Sequence, residues 1–481
     1  MTAVDHQRDP VTVCAAPDDL PDGFQVQIDM RCARGGDLRH LVGGSPARLL
    51  RLSDTALGMT SADGRIAVCD SATRRLARTL MDAGIANPRP MFGPSADDVT
   101  VVIPVHDNQA GVHRLIDALG GSMRVVVVDD ASPTPIRLDR PGVTVLRLDQ
   151  NVGPAAARNR GLAAASTDFV AFLDSDVVPR PDWLTVLLAH FSDPAVGMVA
   201  PRIVGLGATG FRGSLAQRYE HGWSSLDMGP QEAAVVPSTP VAYVPSAAMV
   251  VRRSAFGGFD ESLRVAEDVD ACWRMHADGW RIRYDPLARV AHDHRTSMVS
   301  VLSRRRFYGT GAALLARRHG HRAAPMVMSI PMAIAVAALM TRTKVGLAIA
   351  LLVLSQIAYR LRARLGDLPA SATVATQLTS RAAGFGLLQA AGAICRHYWP
   401  VALVLAVVSA RFRRLAVEVV VAEGFVSWFR SVIADPTMAP PLGPLGYIAV
   451  HRLDDLAYGL GLWQGVVSER NLGALRPRLT P

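Results

Sequence analysis

The sequence predicts an α/β protein. A Rossmann-like domain of parallel strands occupies residues 97–300, a small α+β, winged-helix-like domain residues 1–93, and an apolar helical region residues 301–481. Three observations predict this. Apolar, β-branched runs at 100–105, 123–128 and 169–173 alternate with helical stretches, as βαβ units on a buried parallel sheet do. The breakers Asn87-Pro88-Arg89-Pro90 and Gly93-Pro94 interrupt the chain just before the first run. Beyond residue 300, clustered arginines give way to long uncharged stretches.

Composition narrows the function classes. The 481 residues leave room for roughly three domains at about 150 residues each. With 49% hydrophobic against 19% charged residues, long disorder is excluded as the main theme. The five cysteines, Cys14, Cys32, Cys69, Cys272 and Cys395, show no C-x-x-C spacing. A zinc ribbon, a redox motif and a disulfide scaffold are therefore not expected, and the catalytic parts are expected in a reducing cytoplasm. Net charge is +9, which suits acidic partners, but the arginines cluster beside apolar segments without interleaved aromatics, so nucleic acid is not an expected partner. The first thirty residues carry Asp5, Asp9, Asp18, Asp19 and Asp22 and no long apolar run, so no secretory signal is expected.

In the N-terminal part, 24–28 alternates like a strand, a short helix is expected over 52–59, and Gly64 marks a turn. Ser71 caps a helix over 71–84 with Ala72, Leu76 and Leu80 on one face. This order resembles the small winged-helix modules that bind leader peptides in ribosomal-peptide maturation; a peptide-recognition module and a structural cap are both open readings. In the central part, helices are expected over 111–119 and, opened by Pro154, over 154–165. A further strand is expected at 281–284 and a helix at 267–277 with Cys272 and Trp273 inward. In the C-terminal part, eighteen uncharged residues at 323–340 and fifteen at 345–359 flank Thr341-Arg342-Thr343-Lys344. Arg304 to Arg322 precede them and Arg360, Arg362 and Arg364 follow, as expected for a membrane hairpin with both flanks cytoplasmic. The stretch 415–429 contains Glu418 and Glu423 and suits an interfacial or intraprotein helix better than a span.

Chemistry in an open α/β sheet lies beyond the carboxyl ends of the strands. Three apolar runs here end in carboxylates: Asp107 after the first, Asp129 and Asp130 after the second, Asp174-Ser175-Asp176 after the third. Two aspartates one residue apart past a strand suit a hard divalent cation that also bridges phosphates, Mg²⁺ or Mn²⁺, on Asp174 and Asp176. Asp129 suits a base edge or ribose, with an N-cap role as the alternative. Arg158 is placed to reach a diphosphate or base, or to form a salt bridge. Glu267-Asp268 opens a helix, which makes Asp268 a candidate general base and helix capping the alternative role. His292 and His294 are candidate additional ligands or ordinary histidines.

These motifs together carry a resemblance. Val102-Ile103-Pro104-Val105-His106-Asp107, Val127-Val128-Asp129-Asp130-Ala131-Ser132, Asn151 through Arg158-Asn159-Arg160-Gly161, Phe172-Leu173-Asp174-Ser175-Asp176, and Gly258-Phe259-Asp260-Glu261 with Glu267-Asp268 look like family-two glycosyltransferases of the GT-A fold. The resemblance implies an inverting enzyme in which Asp107 and Asp129 hold the nucleoside, Asp174 and Asp176 the metal and diphosphate, and Asp268 acts as base. The Gln-x-x-Arg-Trp motif of cellulose-synthase-like members is absent, with only Ser303-Arg304-Arg305-Arg306-Phe307-Tyr308 nearby, so processive polymer synthesis is not expected. Over its full length the chain also resembles the glycosyltransferase family of the mycofactocin system. That implies transfer of glucose from UDP-glucose to a peptide-derived redox cofactor precursor. The arginine-flanked apolar hairpin separately predicts a protein at the cell membrane with its catalytic domain cytoplasmic. A cell-envelope glycosyltransferase acting on a lipid-linked or polysaccharide acceptor is the alternative reading, and a catalytically idle binding scaffold would be expected to have lost one of Asp174, Asp176 or Asp268.

Overall fold

The computed structural model describes residues 19–34, 38–44, 48–89, 92–121, 123–206, 213–366, 368–435 and 442–481. Cys14, Asp5, Asp9, Asp18 and Pro90 lie outside them. The chain forms two compact units. One comprises the described residues up to Ile28 together with Arg65–Leu206 and Gln231–His292; the other comprises Asp29–Gly64, Gly207–Pro230 and Asp293–Pro481.

In chain order, the N-terminal elements are β1 (Gln25–Ile28), β2 (Ala33–Arg34), β3 (His40–Gly43), β4 (Arg48–Arg51), α1 (Asp54–Gly58), β5 (Arg65–Ala67), α2 (Ser71–Asp82) and β6 (Ala86–Pro88). Strand β1 lies between β5 and β6, antiparallel to both. Helix α2 starts at a reciprocal cap: Asp70 Oδ1 accepts from the Ala72 and Thr73 amides, and the Thr73 hydroxyl accepts from the Asp70 amide. Polar contacts fix this layer within its unit. Arg78 grips Asp193 through two hydrogen bonds of 2.7 and 3.0 Å, both residues buried, and Arg281 grips Asp82 at 2.9 and 2.9 Å.

The central sheet follows, built from β7 (Val99–Val105), α3 (Gln109–Leu119), β8 (Arg124–Asp129), β9 (Val143–Arg147), α4 (Pro154–Ala164), β10 (Phe169–Leu173), β11 (Val177–Pro179), α5 (Trp183–Ala189) and β12 (Val196–Gly205). After α6 (Leu215–Gly222) come β13 (Ala233–Ala234), β14 (Ala248–Arg252), α7 (Glu267–Ala277) and β15 (Arg281–His292). The strand order is β11-β15-β12-β14-β10-β7-β8-β9, with β13 on β15. Strands β10, β7, β8 and β9 are parallel neighbours, and β14 runs antiparallel between β10 and β12. Every residue of β7 and β10 is buried, which accounts for their apolar sequences; the one polar residue, Thr100, shares a hydrogen bond with the Thr167 hydroxyl at 2.7 Å. Helix α4 lies tight on β7 because position 161 is glycine: a Cβ there would sit 2.2 Å from Val102 Cγ1. The chain moves outward from β7 to β8 on one side and to β10 on the other, so the order reverses at the β7/β10 boundary, where α/β sheets place ligands.

The C-terminal elements are α8 (Met298–His319), β16 (Val327–Ser329), α9 (Ile330–Met340), α10 (Lys344–Leu365), α11 (Ser371–Arg396), α12 (Trp399–Val408), α13 (Ala410–Ala434), α14 (Pro444–Ser468) and β17 (Arg478–Thr480). Helices α8 and α14 approach closely at glycines: a Cβ on Gly461 would lie 1.7 Å from the Arg306 carbonyl oxygen, and one on Gly465 2.5 Å from that of Thr310. Beside this seam Arg305 is buried against Asp454 (2.7 Å), and the Tyr219 hydroxyl bonds His451 Nδ1 and Asp454 at 2.9 and 3.2 Å. The expected membrane hairpin is altered in its first arm. Val327–Ser329 is drawn into a parallel pair with Arg478–Thr480, which leaves α9 eleven residues, about 16 Å against a hydrocarbon core of about 30 Å. Helix α10 has 22 residues, long and apolar enough to cross a membrane, while α11 and α12 meet at an 85° bend.

Candidate active site

The site forms along the carboxyl edge of β10, β7, β8 and β9. Asp107 follows β7 in a left-handed conformation (φ 55°), its side chain exposed and its amide donating to Ser132 Oγ at 2.9 Å. A non-glycine residue in this region carries strain that the surroundings must hold. Here the holding comes from the loop after β8, where Ala131 is also left-handed (φ 54°) and His106 Nδ1 contacts the Asp130 carbonyl oxygen at 2.8 Å.

Asp129 is fully enclosed. Its Oδ1 accepts from the Ser132 amide (2.9 Å), and its Oδ2 from the Ile136 amide (3.2 Å) and from Arg147 Nη1 (2.5 Å). Burial pushes its pKa up, but these bonds, led by those from Ser132, outweigh burial and hold it below the ordinary value. Asp130 receives the Val152 and Gly153 amides at 2.8 and 2.9 Å, which fixes the turn that opens α4.

Asp174 and Asp176 lie in the turn between β10 and β11. Asn108 donates from Nδ2 to Ser175 Oγ at 3.1 Å while its Oδ1 caps α3 at Gly111, so the turn and the β7 end are joined. A Cβ on Gly111 would lie 2.3 Å from the Ser175 carbonyl oxygen, which explains that glycine. Asp176 Oδ2 is 3.4 Å from His292 Nε2 at the end of β15. His294 belongs to the other unit, where its Nδ1 is 3.8 Å from Glu220. Two partly exposed carboxylates with an imidazole alongside are an oxygen-rich donor set of the kind Mg²⁺ or Mn²⁺ accepts.

Arg158 is buried in α4 and spans two parts of the site. Its Nη2 donates to Asp174 Oδ1 at 2.5 Å, its Nη1 to Glu267 Oε1 at 3.2 Å, and its guanidinium lies 5.5 Å from the Phe259 ring centre. Its neighbour Asn159 clamps the segment that carries Phe259: Nδ2 donates to the Phe259 carbonyl oxygen (2.8 Å) and Glu261 (3.0 Å), and Oδ1 accepts from the Phe259 amide (2.9 Å). Helix α7 then begins at Glu267 after left-handed Ala266 (φ 62°). Asp268 Oδ1 accepts from the Val269 amide (2.8 Å) and Oδ2 from the Ser246 amide (3.4 Å). Burial, with Glu267 alongside, raises its pKa to about 7. A carboxylate tuned to this range holds a proton well enough to take one from a hydroxyl.

Known proteins share this arrangement of sequence. Residues 100–258 match Glycosyl transferase family 2. The "Pre-mycofactocin glycosyltransferase" of Mycobacterium tuberculosis (strain CDC 1551 / Oshkosh) is 49% identical over 473 residues, 96% of this chain and 98% of that protein. The chain belongs to glycosyl transferase family 2, among the pre-mycofactocin glycosyltransferases. It is a glycosyltransferase of the GT-A fold. The "Succinoglycan biosynthesis protein ExoO" of Rhizobium meliloti (strain 1021) is 28% identical over 42% of this chain and 62% of its own. Among solved structures, a mannosyltransferase from Pyrobaculum calidifontis in complex with GDP-Man and Mn2+ aligns at 17% identity with a TM-score of 0.36, over 63% of this chain and 89% of that one.

The structure brings Asp107, Asp174, Asp176, Arg158 and Asp268 to one connected edge, with Asp129 behind it. Sequence reading gives no role to three residues that hold this edge together. Ser132 and Asn159 are hydrogen-bond hubs, and Arg147 ends a strand, β9, that was not expected. The alternation Val143-Thr144-Val145-Leu146 was its available signal.

Proposed function

We propose that the protein transfers glucose from UDP-glucose, with inversion, to a hydroxyl of a peptide-derived redox cofactor precursor. The observation that carries the acceptor class is the end-to-end likeness to pre-mycofactocin glycosyltransferase. Mechanistic support comes from the edge on which Arg158 bonds both Asp174 and Glu267, the residue that precedes Asp268.

In this mechanism Asp107 faces the nucleoside, and Asp129 shapes that wall through the Ser132 loop. Asp174 and Asp176, with His292 alongside, would hold Mg²⁺ or Mn²⁺, which offsets charge on the leaving diphosphate. Arg158 keeps positive charge beside the same phosphates while fixing Asp174 and Glu267. Asp268 takes the proton from the acceptor hydroxyl as its oxygen attacks the anomeric carbon from the face opposite the departing diphosphate. Positive charge developing at the anomeric carbon is thus met by the carboxylate of Asp268 on one side, and negative charge on the leaving diphosphate would be met by Arg158 and the cation on the other.

Membrane association of the C-terminal helices is part of the proposal. Six large apolar side chains of α10, among them Leu352 (72% exposed), and six of α12 face outward, and from Arg295 to Val417 the sole acidic residue is Asp367. An apolar surface this extended, flanked by Arg360, Arg362, Arg364, Arg411, Arg413 and Arg414, suits an anionic bilayer surface.

The test is transfer by the purified full-length protein, with UDP-glucose or GDP-mannose and Mn²⁺, to a tyramine-like peptide-derived acceptor and to a polyprenyl-linked glycan. Glucose on the peptide-derived acceptor is the expected result. Transfer to the lipid-linked glycan alone would replace this reading with an envelope function.

A further inference from the structure

Strand position alone gives Asp107 and Asp129 the same task, but their surroundings differ. Across adjacent parallel strands Val105, Asp129 and Arg147 stand level. Asp129 has no exposed surface and both its oxygens are engaged, so its carboxylate acts on the protein. Part of what it holds is Arg147. That guanidinium donates from Nη1 to Asp129 Oδ2 (2.5 Å) and from Nη2 to the Ser132 carbonyl oxygen (2.9 Å), while 42% of the side chain remains exposed. Two bonds in different directions fix the plane of the group as well as its position.

The surrounding loop is rigidly held. Ser132 Oγ accepts the Asp107 amide, and Gln109 exchanges two hydrogen bonds with Arg137, donating to its carbonyl oxygen at 2.9 Å and accepting from its amide at 3.0 Å. The partly exposed Arg147 side chain and the exposed Asp107 side chain are thereby presented from one preorganised edge. Asp174 directly follows β10, which is three inter-strand steps from β9, about 14 Å at the usual spacing. That is of the order of the reach of an extended nucleoside diphosphate from its phosphates to its base.

We propose that Arg147 is a specificity-determining residue of the nucleotide subsite: held by Asp129 and Ser132, its guanidinium plane stacks on the nucleobase, and Asp107 accepts hydrogen bonds from the nucleoside. The inference rests on the reading of this edge as a nucleotide-sugar site. It makes Asp129 a positioning residue and Arg147 the group in contact. A planar cation stacks on an aromatic ring, whereas a lysine ammonium in the same place keeps the ion pair with Asp129 and offers no plane.

The experiment is calorimetric titration of the full-length protein with UDP, GDP and inorganic pyrophosphate in Mn²⁺, for the native chain and for Arg147→Lys and Arg147→Ala. Arg147→Lys is expected to melt at the native temperature, to lose about tenfold in affinity for whichever nucleotide the native protein binds, and to bind pyrophosphate as before. Donor KM should rise more than kcat falls. Arg147→Ala should lose at least as much nucleotide affinity. Native nucleotide affinity in Arg147→Lys would overturn the proposal, and so would a parallel loss of pyrophosphate affinity, which marks a phosphate contact or a distorted edge. A native protein that binds neither UDP nor GDP would instead overturn the nucleotide-site reading beneath it.

Discussion

Asp268 must be ionised to accept a proton, and burial beside Glu267 raises its pKa to about 7. In the proposed mechanism activity requires the deprotonated form: kcat/KM should fall tenfold per pH unit on the acid side, with a midpoint at or below about 7, because a cation held by Asp174 and Asp176 would pull the value down. A rate independent of pH between 5 and 8 would remove this carboxylate from the base role. Asp268→Asn keeps the shape and cannot take the proton. It should bind donor with near-native affinity by calorimetry and lose about a hundredfold or more in transfer. Asp174→Asn acts elsewhere. It removes one partner of Arg158 and, in the proposed site, one ligand of the cation, so Mn²⁺ affinity measured without donor should fall along with turnover. At this scale the sequence placed the acidic strand ends correctly, because an apolar parallel strand stops abruptly where its carboxyl edge meets solvent. It did not separate Asp129 from Asp107, since that depends on the φ of Ala131 and on an arginine eighteen residues further along.

Among the elements, the segment from Gly258 to Glu261 owes its position to α4. Gly258 has φ 83°, and a Cβ there would sit 2.9 Å from Asn159 Oδ1, the atom that accepts the Phe259 amide. Gly258→Ala should therefore cost about 1–2 kcal/mol in urea unfolding, from backbone strain and the displaced clamp, and should lower kcat as Phe259 moves away from Arg158. Native stability and rate in that variant would show the clamp to be dispensable. The central strands β7, β8 and β10 were legible from their apolar runs. Strand β9 was not, because an edge strand of partly exposed residues alternates only weakly. The first arm of the expected hairpin is shorter than its hydropathy implies for a related reason: Val327–Ser329 pairs with a strand near the C-terminus, a contact that local hydropathy does not encode.

For the whole molecule, the unit built around α8 and α14 combines a charged interior with outward apolar helices. Arg305, Asp454, His451 and Tyr219 are enclosed, whereas Val404 and Val408 of α12 and Leu351 and Leu352 of α10 are exposed. If this surface meets lipid, Arg360, Arg362 and Arg364 should contribute about 1 kcal/mol each toward an anionic leaflet. Replacing all three by glutamine should then lower partitioning of the full-length protein onto vesicles rich in phosphatidylglycerol by about a hundredfold in a flotation assay, with little change on phosphatidylcholine alone. Equal flotation of native and substituted protein on both would set aside the electrostatic part of the membrane proposal.

The sequence by itself determined the α/β class, the order of the acidic motifs, the likeness to family-two glycosyltransferases and the apolar character of the C-terminal region. These are written locally, in the period of apolar residues and in the residue that follows each buried strand. Tertiary structure decided which carboxylates face outward and which serve the protein, that Arg158 joins the Asp174 turn to the Glu267-Asp268 helix start, and that Arg147 enters the edge at all. The physical reason is that a carboxylate's task is set by its donors, and here those donors come from strands and loops far apart in sequence.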